Sequence, residues 1–205
     1  MTYYSTFRSA ETAVSPVVGV MLMLVVTIII AAVVSAYAGG MAGGQKNIPQ
    51  ATIQGDFSIR DGLTILHAGG DPLPTADIQF VIWDGPSFGP NIEQNTKQVL
   101  NMSAMRDESG LPIKTSSGAY NTTALLAGGS LIINSTDCYC NALQPNIAPT
   151  DFADHNNGGS YTGTTQSSRW GLCIRNPSNV GKEFVLSVSD KNGKLISKTN
   201  VKVTV

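Results

Sequence analysis

The stretch "AVSPVVGVMLMLVVTIIIAAVVSAYAGGMAGG", residues 13–44, contains no Asp, Glu, Lys or Arg. A helix that crosses a hydrocarbon core needs about 20 apolar residues. Residues 17–38 supply that length, with only Gly19, Thr27 and Ser35 as mild interruptions. Because the run is apolar on every side, the helix has no amphipathic face and belongs in lipid or inside a bundle. It is longer than a secretory h-region of about 7–15 residues. Ser15 can cap the helix and Pro16 fits its first turn, so it starts there. Gly39, Gly40, Gly43 and Gly44 predict a helix end or a hinge. Ala31, Ser35, Gly39 and Gly43 also stand four apart. Small residues at that spacing let helices approach closely in an apolar medium. Arg8 before the run and Lys46 after it leave its orientation undecided by charge.

The remainder, residues 45–205, is long enough for one domain with its own core. The chain of 205 residues has a net charge of -1, and only 13% of it is charged. No basic stripe suits phosphates, which argues against a nucleic-acid partner. Abundant Gly, Ser, Thr and Asn suit an extracellular, turn-rich β-domain. Residues 45–50, with Pro49, read as a short linker. Beyond them the apolar pattern has period two. In "DIQFVIW" (77–83), Ile78, Phe80 and Ile82 face one way while Gln79, Val81 and Trp83 face the other. "SLIIN" (130–134) and "WGLCIRN" (170–176) read as shorter strands. At the C-terminus, Phe184, Leu186 and Val188 alternate with Val185, Ser187 and Ser189. Asn192-Gly193 follows, a strong hairpin signal. Val201, Val203 and Val205 then alternate with Lys202 and Thr204, a register that sets Phe184 opposite Val201. "TSSGAYNTT" and "HNNGGSYTGTTQSS" read as exposed loops, and residues 91–100 as a short helix or a further loop. These elements predict a mostly β chain behind one long N-terminal helix, folded as an antiparallel β-sandwich.

The segment "AVSPVVGVMLMLVVTIIIAAVVSA" resembles the N-terminus of archaeal type IV pilins. The resemblance covers about 30 residues and rests on Ala-Val-Ser-Pro-Val-Val-Gly-Val opening an uncharged helix. It implies a short leader, residues 1–12, removed by a membrane-embedded prepilin peptidase. The family's site has a charged residue, then a small one, then the mature N-terminus. Glu11-Thr12 ahead of Ala13-Val14 fits, with Glu11 acidic where a basic residue is the stronger match. Cleavage is therefore expected between Thr12 and Ala13. The glutamate that bacterial pilins carry five residues into the mature chain is Val17 here, so the likeness is to the archaeal branch. It implies that residues 13–44 form an assembly helix, held first in the membrane and then in a filament core. It also raises the expectation that residues 45–205 form an immunoglobulin-like domain at the cell surface. Its partners would be the peptidase and other pilin subunits, with adhesion as an outcome and no cofactor.

Other motifs compete with that reading. "GPSFG" (85–89) matches the nucleophile-elbow pattern, with Ser87 as nucleophile, His155 as base and "HAGG" (67–70) as an oxyanion loop. The elbow needs alternating βαβ units, which the chain lacks, and Pro86 and Pro90 flank the serine. A Gly/Pro turn is the simpler reading for both motifs, and the chain is not read as an enzyme. Cys138, Cys140 and Cys173 suggest a disulfide in an extracellular domain. Cys138 and Cys140 sit too close for an easy mutual bond, so one of them is expected to pair with Cys173. A zinc site from the three cysteines and His155 is the alternative, on weak spacing. Asn101, Asn121 and Asn134 head N-glycosylation sequons, while Asn176 is excluded by Pro177. Two functions follow: a pilin-like filament subunit, or a single-pass anchored binding domain that never polymerises.

Overall fold

A computed structural model describes residues 16–42, 48–150 and 164–205. The chain divides into two compact units, residues 1–47 and 48–205. In the first, helix α1 runs Pro16–Ala42. Pro16 opens it as expected. It continues through Gly39 and Gly40 instead of ending there, because a helix tolerates glycine when no competing turn captures the chain.

The second unit carries β1 (Ala51–Ser58), β2 (Gly62–Gly70), β3 (Leu73–Pro74), β4 (Ile78–Asp84), α2 (Glu93–Thr96), β5 (Gln98–Val99), β6 (Ala124–Leu125), β7 (Ser130–Asn134), α3 (Cys140–Leu143), α4 (Thr164–Leu172), β8 (Glu183–Asp190) and β9 (Leu195–Thr204). The main sheet has the order β5-β4-β8-β9-β1-β2-β7, and β3 pairs with β6 separately. Residues 48–50 already belong to this unit, since Gln50 N donates to Asp71 Oδ2 at 3.0 Å.

Along the chain, the long helix is followed by a mostly antiparallel, curled sheet. The two faces expected of a sandwich are halves of one sheet, joined where β1 runs parallel to β9 through Phe57–Val203 and Ser58–Thr204. Thr204 Oγ1 donates to Phe57 O at 2.8 Å and secures the seam. Curling lets both halves bury their alternate residues in one core. Ile53, Phe57, Leu63, Ile65 and Ile133 from one half join Phe80, Ile82, Phe184, Leu186 and Val201 from the other. Phe57 meets Phe184 edge to face at 5.7 Å. On β1 the inward residue between Ile53 and Phe57 is Gly55. A Cβ there would strike Val201 and press on Leu186, so only glycine lets β1 come this close.

The C-terminal hairpin forms as predicted, with Phe184 opposite Val201. The strands at 77–83 and 130–134 also appear, as β4 and β7. Two predictions fail. "WGLCIRN" is not a strand: Trp170–Leu172 end α4, and a turn follows. Of the loop assigned to "HNNGGSYTGTTQSS", residues 155–163 lie outside the described residues and residues 164–168 belong to α4. Short apolar alternation does not separate a strand from a helix, so the window misled.

Candidate functional site

Helix α1 has 27 residues. At 1.5 Å per residue that is about 40 Å, more than the ~30 Å of a hydrocarbon core. Every side chain described along residues 16–39 is exposed. The polar exception Thr27 is satisfied within the helix, its Oγ1 donating to Leu24 O at 2.8 Å. Ala31, Ser35 and Gly39 lie on this bare surface. A Cβ on Gly39 would meet nothing within 4 Å, so nothing in the chain itself requires a glycine there. Gly43, Ser15 and the pair Thr12–Ala13 lie outside the described residues, as does His155.

In the second unit, residues 86–88 form a single 3-10 turn after β4. Ser87 Oγ donates to Glu183 O at 3.1 Å and accepts from Glu183 N at 2.9 Å. The hydroxyl thereby holds the first residue of β8, as a strand backbone would. His67 lies inside β2, fully buried, with Nδ1 donating to Leu125 O at 3.2 Å. "HAGG" is thus the end of a strand, not a free loop. Its inward set Leu63, Ile65 and His67 keeps period two, with the histidine in an apolar position.

Cys140 is bonded to Cys173, with Cα atoms 5.6 Å apart. Cys138 is a buried free thiol, donating to Ile133 O at 3.3 Å. Burial pushes its pKa up to about 12, so it stays protonated and unreactive. A zinc site from the three cysteines fails, because two are bonded to each other. Among the described residues no group of three His, Cys, Asp or Glu side chains could hold a metal.

The disulfide region is tied to the sheet by a buried polar relay. Gln144 Nε2 donates to Asp84 Oδ1 at 2.7 Å, while Ile174 N donates to Gln144 Oε1 at 2.7 Å. One glutamine thus links the end of β4 to the residue after Cys173. Asp84 is fully buried, and its Oδ2 has no partner among the described residues. Burial raises its pKa from 3.8 to about 7, against the opposing pull of the Gln144 hydrogen bond and the Lys182 charge. A raised carboxyl pKa means the fold keeps a proton that the unfolded chain has lost. Asp84 therefore favours the fold most in acid, and its contribution declines as pH rises from about 4 to about 7. Full-chain protein in detergent is expected to melt at higher temperature at pH 5 than at pH 8. The difference from Asp84→Asn should be on the order of 3 kcal/mol across that window. Parallel parent and variant melting curves would refute the burial argument.

Asn101, Asn121 and Asn134 are all exposed, and the Asn121 Nδ2 donates to Pro112 O at 2.8 Å. Asn176 is buried, with Oδ1 accepting from Ser178 N at 3.0 Å.

Residues 12–53 match the model of the archaeal type IV pilin N-terminal family. The match takes in α1 and the opening residues of β1. No curated protein and no solved structure matches the chain.

Proposed function

We propose that this chain, whose residues 12–53 match the archaeal type IV pilin N-terminal family, is a structural subunit of a surface filament. The observation that carries the reading is α1: an uncharged apolar helix whose described side chains are bare along residues 16–39. So much exposed hydrocarbon demands either lipid or other helices. In the bilayer, α1 holds the precursor while prepilin peptidase cuts between Thr12 and Ala13. In the filament, other pilin subunits replace the lipid. Both surroundings are apolar, so the exchange has little hydrophobic driving force and close helix packing must favour it. Ala31, Ser35, Gly39 and Gly43 form the packing stripe. The β-unit is carried on the outside, where Asn101, Asn121 and Asn134 accept glycans and the surface adheres. The chemistry is self-association, not catalysis.

The test is to shear filaments from cells, image them and identify the N-terminal peptide of their subunits by mass spectrometry. The expected result is filaments containing this chain, beginning at Ala13. A chain that keeps Met1 and enters no filament, even beside other pilins, would overturn the reading in favour of the anchored binding domain.

A further inference from the structure

The outward face of β4, β8 and β9 carries an aromatic and cationic cluster that neither the fold nor the helix explains. In the strand register, Trp83 lies opposite Val185 and then Asn200, and Val81 lies opposite Ser187 and then Lys198. Strand β5 pairs Gln98 with Ile82, which brings Lys97 next to Trp83 from the other side. The Lys198 Nζ stands 5.2 Å from the indole centre and the Lys97 Nζ 5.8 Å. Trp83 is half-buried, while Lys97, Lys198 and Asn200 are exposed.

Both charged groups recorded against Trp83 are cationic, although Glu183 on β8 and Asp56 on β1 bound the face on the Lys202 side. Asp190 is engaged in the hairpin turn, and Glu183 lies on the same outward face, diagonal to Trp83. Glu183 sits opposite Lys202. Asp190 Oδ1 accepts from Asn192 N at 2.9 Å and Lys194 N at 2.7 Å within the hairpin turn. Among the described residues, the indole is the contact recorded for the Lys97 and Lys198 ammonium groups.

We propose that this face binds an acidic polysaccharide, with a hexuronate ring stacked on Trp83 and its carboxylate held by Lys97 and Lys198. A flat indole presents an apolar platform the size of one pyranose ring. The two ammonium groups lie over the ring on exposed, flexible stems, so a stacking sugar displaces them toward its carboxylate, and Asn200 offers a donor and an acceptor to hydroxyls. The ammonium groups give up an exposed contact with the ring and gain a charge-assisted one. A neutral glycan has no use for the unneutralised lysines, and a polyphosphate has none for the indole. A nucleic acid calls for a longer cationic track than Lys97 and Lys198 provide, and Glu183 interrupts the row beyond Asn200. As the adhesive face of a filament, the site rests on the pilin reading. As a binding site on the chain, it does not.

The experiment uses full chain in detergent, titrated with polygalacturonate at physiological salt. Amylose supplies sugar rings without charge, polyglutamate supplies carboxylates without rings, and single-stranded DNA supplies phosphates with aromatic bases. Polygalacturonate is expected to bind at least about tenfold more tightly than any of the three. Trp83→Ala and the pair Lys97→Gln/Lys198→Gln should each weaken it by about tenfold, and Trp83→Phe should retain most of the affinity. The lysine pair is exposed, so its variant tests the site even if Trp83→Ala fails to fold. The proposal is overturned if the parent does not bind, if polyglutamate or DNA binds as well, or if the lysine pair is dispensable. Binding by a chain that enters no filament would sink the pilin reading alone.

Discussion

Ala31→Leu and Ser35→Leu are expected to leave membrane insertion and leader removal intact while filaments disappear or thin out. Leucine is at least as acceptable to the bilayer as the residues it replaces, so anchoring does not suffer. The penalty appears only where helices must touch. A branched side chain on the small-residue stripe holds neighbouring helices apart and forfeits their dispersion contacts. About ten forfeited carbon contacts at about 0.1–0.2 kcal/mol each amount to about 1–2 kcal/mol. About 1.4 kcal/mol is already tenfold in association, and a filament repeats the contact at every subunit. The measurement is the amount of chain in sheared filaments against the amount in membranes, for each variant and for the pair. Assembly equal to the parent in all three would show that the small-residue stripe is not a packing face.

Loss of the Cys140–Cys173 bond is expected to lower stability by about 3–4 kcal/mol, given the loop it closes. The two cysteines are 33 residues apart in sequence. For a unit of this size the melting midpoint should fall by about 10 °C. The Cys140→Ala/Cys173→Ala pair and the reduced parent should agree, because both remove the same cross-link. Gln144 gives the effect a direction. It joins Asp84 on β4 to Ile174 beside the bond, so release of the cross-link frees the partner of a buried carboxyl. Buried polar groups depend strongly on such partners. Cys138 should resist alkylation in the folded protein, bonded or reduced, and react only on unfolding. A midpoint indifferent to reductant would sink the idea that this bond holds the region.

Much of the architecture is local and was therefore legible. The long helix follows from an unbroken apolar composition that needs no partner to be recognised. The C-terminal hairpin follows from period-two alternation around Asn192-Gly193, where a two-residue turn sets the register. Strands β1 and β2 left a fainter trace. In β1 the inward positions are Ile53, Gly55 and Phe57, and the glycine interrupts the apolar pattern because β9 lies too close for a side chain. In β2 the inward position 67 is a histidine, so the strand end passed for a turn. Segment 170–176 failed for the opposite reason: its apolar residues suggest a strand, yet Cys173 is buried by its bond and Ile174 by the main core, with no strand pairing.

The sequence by itself determined the apolar helix, the strand-rich remainder, the hairpin register and the set of cysteines able to pair, because composition and short-range periodicity carry those signals. Only the tertiary structure decided which cysteine bonds to Cys173 and that two half-sheets join along β1 and β9. It alone buried Asp84 beside Gln144 and brought Lys97 and Lys198 to Trp83. Each depends on residues far apart in the chain, and their proximity exists only once the curled sheet has closed on one core.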